Sequence, residues 1–352
     1  MAYKTKPDTA GLAQLKKDLA QGKPGRLYVF HGEETYLRDH YLGKLREVLL
    51  SGGMGEFNLH RLRPADVNPR ALEEAVDCLP MMAERTMVLV TDFDLFKAGE
   101  RDREEYIRTL SQLPEYCCLV FVYDLLEYKP DARTKLAAAL KANGTAVNFQ
   151  RQEQGDLVDW VRRRFKALGK EIDPRLALEL ISLCGDLMTT LIGEIEKVGA
   201  YARGPKITRA DIDAVAAPQL DAVVFEMTDA IGAGSFDQAA SVLGELFQMQ
   251  EPPQKILWSL GRQMRQIYSA RLALEGGKGS REVSALWGIK PYPADKLMRS
   301  ARRFTLGWCR QAVVRCAQTD LDMKSTGRDG QELLTTLLLE LAALSSNTGA
   351  RR

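Results

Sequence analysis

Two short stretches hold residues whose types and order are those used to handle a nucleotide phosphate. In "LYVFHGEETYLRDHYLGKL" an apolar run, Leu27 to Phe30, enters the loop His31-Gly32-Glu33-Glu34 and then a helical pattern. In "MVLVTDFD" four apolar residues run up to Asp92 and Asp94. A nucleotide hydrolase keeps its phosphate cradle at the first kind of junction and a magnesium-holding acid at the second. A working cradle, however, needs several backbone N–H groups aimed at phosphate, a lysine for the β and γ oxygens, and a Ser or Thr for magnesium. This loop has one glycine, no lysine and two carboxylates. Each carboxylate close to a polyanion repels it by on the order of 1 kcal/mol in partly solvated surroundings. His31, Gly32, Glu33 and Glu34 are therefore read as a degenerate, non-binding loop whose glutamates cap the helix that follows. Without a nucleotide there is no magnesium to bridge, and Asp92 and Asp94 read as turn formers at a strand end.

Other chemistry is scarcer still. The glycine-rich "EGGKGS" (Glu275 to Ser280) follows a helical pattern rather than a strand and fails the P-loop spacing, so it reads as a helix–helix connection. The acids near Trp160 in "RQEQGDLVDW" have no partner arrangement for acid–base work. Six cysteines (Cys78, Cys117, Cys118, Cys184, Cys309, Cys316) form no C-x-x-C pair, and the three histidines lie apart from them. Buried reduced thiols are expected, with Cys117 and Cys118 pointing to opposite faces of one strand. Neither a metal nor a cofactor is expected.

The elements that position these residues change character along the chain. Over the first 150 residues strand-like runs at 27–30, 57–62, 87–90, 117–122 and 145–149 alternate with helical patterns near 35–50, 69–79, 101–112 and 131–142. That alternation predicts a mostly parallel α/β sheet covered on both faces. After Gln150 every pattern is helical. Residues 151–217 make a small module whose signals include Asp173-Pro174 at one helix start and Thr208 with Asp211 at another. Residues 218–352 form an all-helical domain with helices over 222–232, 236–248, 252–275, 280–287, 293–302, 306–321 and 329–345.

Bulk properties set wide limits. The 352 residues suffice for two or three domains, with 45% hydrophobic and 27% charged residues and a net charge of +2. The N-terminus lacks an apolar core of signal-peptide length, and no window holds about 20 uninterrupted apolar residues, so no membrane span is predicted and the cytoplasm is the expected compartment. From Glu251 to Arg315 there are 13 Lys and Arg against 4 Asp and Glu. This local excess fits a nucleic-acid face or the solvated sides of several helices.

One connection stands out. In "CLPMMAERTMVLV" a helix stops at Pro80 and two methionines, Met81 and Met82, follow before the next strand. Loops lie at surfaces, where methionine pairs make adaptable contacts; alternatively both fold back onto the sheet as core.

The three-part order, with "YVFHGEETYLRDHYLGKLR", "LPMMAERTMVLVTDFD" and "TDLDMKSTGRDGQELLTTLLLEL" at matching places, resembles the delta subunit of the bacterial DNA polymerase III clamp loader. The resemblance covers essentially the full chain. It implies an AAA+-like α/β domain with a degenerate P-loop, a helical lid and a helical collar for oligomerisation. It also implies a non-catalytic subunit of a DNA-directed DNA polymerase holoenzyme that binds and opens the sliding clamp (beta) for loading on primed DNA. The implied partners are the ATPase subunits (gamma/tau) and delta-prime. The family's clamp-contacting element falls on Leu79, Pro80, Met81 and Met82, which favours the surface reading; the second apolar member is usually aromatic there, and here it is Met82. Lys324 and Arg328, placed in the turn "MKSTGRD", are candidate DNA contacts. Three rival readings are a nucleotide-binding AAA+ enzyme with an unconventional site, a helical adaptor without clamp binding, and delta-prime. Delta-prime is disfavoured because its zinc module and Ser-Arg-Cys motif are missing from the first domain, the nearest triplet being Val314-Arg315-Cys316.

Overall fold

The structure, a computed structural model, describes residues 9–51 and 55–349. Among the described residues it contains five β-strands and sixteen α-helices. The chain divides into two compact units, residues 1–152 with 187–189, and residues 153–186 with 190–352.

The first unit is built on a five-stranded sheet of order β2-β3-β4-β1-β5. The strands are β1 (Leu27–His31), β2 (Leu59–Leu62), β3 (Thr86–Thr91), β4 (Cys117–Val122) and β5 (Thr145–Asn148). Every pairing is parallel, as the alternation of strand and helix predicts. The apolar runs are continuous because both faces of the sheet are buried. Leu27, Val29, Cys117, Leu119 and Phe121 enter one core, while Tyr28, Phe30, Cys118, Val120 and Val122 enter the other. Cys117 and Cys118 thus take opposite faces, and both are buried free thiols. Their pKa values rise because burial disfavours the thiolate, to about 11 at Cys117.

Helices α1 (Ala10–Ala20), α2 (Thr35–Leu49), α3 (Pro69–Asp77), α4 (Glu100–Ser111) and α5 (Lys135–Asn143) surround the sheet. Helix α1 has no counterpart in the sequence expectations. Its Leu15 is fully buried, and Asp18 accepts the Tyr28 hydroxyl proton at 2.7 Å. A side chain at Gly11 would overlap the Ala146 carbonyl oxygen, so only glycine lets α1 lie this close to β5. Two expected elements shift. The run at 57–62 is a strand only from Leu59, because Gly55–Asn58 forms a 3₁₀ turn. Helix α3 stops at Asp77, and Cys78 is already extended, so Leu79 is not helical.

The second unit is helical. It begins with α6 (Gln154–Ala167), α7 (Pro174–Cys184), most of α8 (Met188–Tyr201) and α9 (Arg209–Val215). The signals seen in the sequence are used here: Asp173 accepts from the Arg175 N–H, with Pro174 in the first turn, and Thr208 with Asp211 closes a capping box. The remainder comprises α10 (Leu220–Gly232), α11 (Phe236–Gln248), α12 (Pro253–Glu275), α13 (Ser280–Trp287), α14 (Pro291–Ala301), α15 (Leu306–Ser325) and α16 (Gly330–Gly349). Their core is a single apolar cluster that includes Val224, Leu246, Ile256, Ile267, Trp308 and Leu341. Among the described residues no single helix is long and apolar enough to cross a membrane.

Candidate functional site

In a parallel sheet the loops that follow strands gather at one end and those that precede strands at the other. The two candidate regions therefore lie at opposite ends. His31, Gly32, Glu33 and Glu34 follow β1; Leu79 to Met82 precede β3.

The loop after β1 is closed by the protein's own backbone. Gly32 has φ +118, and a side chain there would overlap the Phe149 carbonyl oxygen. That same oxygen accepts the Glu34 N–H at 2.9 Å. A phosphate cradle needs its N–H groups unspent and aimed outward, and here the Glu34 N–H is spent on the Phe149 carbonyl. The glutamates do not cap α2 as expected. Glu34 stands at the cap position but makes no side-chain bond to that helix; it is fully buried and accepts the Met188 N–H at 3.2 Å. Glu33 instead reaches Arg151 at 2.6 Å. The physical reason is competition: the Met188 N–H and the Arg151 guanidinium draw the two carboxylates to groups outside α2. His31 packs against Tyr128, the ring centroids 4.8 Å apart.

Asp92 is likewise structural. Its Oδ1 accepts the N–H groups of Asp124, Leu125 and Leu126 at 2.8, 2.8 and 3.1 Å, tying down the segment after β4. Asp92 itself is left-handed, φ +50, a region that aspartate tolerates better than most residues. The neighbouring Arg38 is almost wholly buried and binds Asp124 at 2.7 Å and Asp39 at 3.0 Å. Burial opposes its charge, but the hydrogen bonds to Asp124 and Asp39 outweigh that and hold its pKa above the usual value. Asp94 caps a 3₁₀ turn by accepting from Phe96 N–H. Both acids are thus occupied as turn formers.

At the other end, Leu79, Met81 and Met82 are 71%, 58% and 87% exposed. Their display is built rather than loose. Asn58, itself buried, accepts the Met81 N–H on Oδ1 at 2.6 Å and donates from Nδ2 to the Met81 carbonyl at 3.0 Å. Met82 is left-handed at φ +49, a conformation that persists for a side chain with a Cβ only when its surroundings enforce it. Of the two readings open for the pair, surface or core, the structure adopts the surface.

Two regions of the chain match known families: residues 28–150 match "DNA polymerase III, delta subunit", and residues 221–341 match "DNA polymerase III delta subunit, C-terminal domain". Together they take in more than two thirds of the chain. The chain belongs to the DNA polymerase III delta-subunit family. A DNA polymerase III subunit delta of Bacillus subtilis (strain 168) is 26% identical over 334 residues, covering 92% of this chain and 95% of the relative. A probable DNA polymerase III subunit delta of Aquifex aeolicus (strain VF5) is 24% identical over 273 residues, covering 75% and 76%. The solved structure of a Bacillus subtilis DNA clamp loader delta protein shares the fold, with TM-score 0.57, 23% identity and coverage of 94% and 99%. A parallel α/β domain followed by helices is thus the architecture of this delta-family chain.

The candidate DNA contacts of this delta-family chain fall in the second unit, and one is placed differently from expectation. Lys324 lies in the last turn of α15 rather than in the loop, and its Nζ meets Asp320 at 2.6 Å. The helix runs past the expected end because Lys324 and Asp320 form an i,i+4 pair on its exposed side. Arg328 is exposed in the turn beside Gly327, φ +66. The basic excess between Glu251 and Arg315 is also less free than it reads. Lys255, Arg262, Arg271, Lys290, Arg303 and Arg315 pair with Glu251, Asp221, Glu275, Asp186, Asp229 and Glu340. Several of those acids lie outside the stretch, which is why composition alone overstated its charge.

Proposed function

We propose that this chain is the clamp-gripping subunit of a DNA polymerase III clamp loader: it binds the ring-shaped sliding clamp, favours its open form for placement around primed DNA, and hydrolyses no nucleotide itself. The observation that carries the reading is the exposed Leu79-Pro80-Met81-Met82 knuckle, pinned through its backbone by Asn58. Membership of the delta family supports it, as does the blocked loop at Gly32. The two methionines supply roughly 1.5–3 kcal/mol each on full burial, before ordering costs, enough for a small hot spot. Gripping opens the ring only to the extent that the knuckle's contacts are better in the open state than in the closed one.

ATP-driven work then belongs to neighbours, the gamma/tau subunits, with delta-prime completing the arc. The second unit is the assembly surface, and its exposed apolar side chains Trp258, Val314, Leu321 and Leu339 suit it to subunit contacts. Lys324 and Arg328 are the proposed contacts to DNA phosphate, and the cytoplasm is the compartment this work requires. The deciding experiment changes Met81 and Met82 together to serine and measures binding to purified sliding clamp. Affinity should fall by about a hundredfold, equivalent to about 3 kcal/mol, with the melting transition nearly unmoved because both side chains are exposed. Undiminished capture overturns the reading.

A further inference from the structure

We propose that Phe57 belongs to the clamp-facing surface, and that Asn58 is the positioning residue that fastens Phe57 and the Leu79–Met82 knuckle together. The inference rests on the clamp-gripping reading above.

Three observations converge. First, Asn58 is 1% exposed, and a buried amide is costly unless its polar atoms are bonded. Both ends of this amide go to one residue, Met81, so the side chain acts as a β-bridge partner for the knuckle. Second, the adjacent Phe57 is 65% exposed. It sits in the 3₁₀ turn Gly55–Asn58, which is anchored on its other side by an ion pair between Glu56 and Arg46 of α2. A phenyl ring held in water between two anchored neighbours, Glu56 and Asn58, is displayed by the fold rather than left over from it. Third, β2 is the edge strand, so this turn stands at the margin of the sheet at the same end as the segment before β3. Phe57, Leu79, Met81 and Met82 then make one apolar margin joined through a single side-chain amide.

The chemistry specifies the partner. Methionines adapt to a pocket but anchor weakly, whereas a rigid aromatic ring contributes large contact area at small entropic cost. The knuckle itself has no aromatic residue, and Phe57 supplies one from a neighbouring segment. The occupant that fits is an apolar surface of the ring clamp, the partner already proposed for the methionines.

The test compares the full-length chain with Phe57→Ser, Phe57→Leu, Asn58→Ala and the Met81→Ser/Met82→Ser double variant, all titrated against purified sliding clamp. Phe57→Ser should weaken binding roughly tenfold or more, and Phe57→Leu by less. Asn58→Ala should weaken binding and accelerate hydrogen exchange at the Met81 N–H, leaving the exchange of sheet amides at Val29 and Val120 unchanged. If Phe57→Ser binds like the wild type while the double variant loses binding, Phe57 lies outside the surface and this inference fails, though the functional reading stands. If the double variant binds normally, the functional reading falls and takes the inference with it. Should Asn58→Ala fail to fold, the Phe57 pair still decides. Concentration-dependent self-association abolished by Phe57→Ser would assign the patch to a second copy of the chain and overturn the proposal.

Discussion

Asp92 keeps the place of a metal-holding acid and holds a loop instead. Its carboxylate accepts three backbone N–H groups on one oxygen, charge-assisted bonds that are each stronger than a neutral pair and together order the loop. The loop it holds carries Leu125, 89% exposed, so the bonds serve to display a side chain rather than to bury one. Replacing Asp92 by Asn keeps the tolerance for left-handed backbone but removes the charge. Stability should fall by about 1 kcal/mol, and limited proteolysis should cut first near Leu125. A urea midpoint and a digest time course measure the two effects. At this scale the sequence was informative by what it lacked: no lysine in the loop after Phe30, hence the expectation of a loop that binds no phosphate. It could not say where Glu34 points, because its acceptor role depends on Met188, 154 residues later in the chain.

Elements were most legible where the pattern was strong. The continuous apolar runs of β1, β3 and β4 are short and alternate with helical patterns, which marks them as strands buried on both faces, and Thr208 with Asp211 carries the spacing of a capping box. The misses have local causes. Helix α1 is short, and its apolar positions Leu12, Leu15 and Leu19 gain meaning only once Gly11 lets the helix touch β5. The turn before β2 is hidden in the sequence because Phe57 extends an apolar run that resembles a strand, so that Asn58 reads as part of the strand instead of a tether. Helix α15 suggests a prediction at the same scale. Val314 and Leu321 are seven residues apart, on one face, and both are more than half exposed. Changing both to aspartate should leave the isolated chain folded and monodisperse but abolish its incorporation into a complex with the ATPase subunits, as read by size-exclusion chromatography with scattering. Retained incorporation would place the assembly surface on other helices.

Over the whole molecule, the parallel sheet separates two inheritances. The end that follows the strands carries the loop at Gly32, bonded to the Phe149 carbonyl, and the end that precedes them carries the exposed Leu79, Met81 and Met82. A ligand that binds only the folded state raises its stability by mass action, so a chain with its loop closed in this way should melt at the same temperature with or without millimolar Mg·ATP. A rise of several degrees would reopen the enzymatic reading of Gly32.

The carbonyl of Phe149 thereby does more than occupy space. A motor subunit's shape follows the adenylate pool, and when a cell starves such a subunit drifts between states as its fuel thins. On the clamp-gripping reading proposed above, a subunit whose loop is tied to its own main chain escapes that dependence: it stays the same object through feast and famine, a fixed fulcrum against which fuelled neighbours lever.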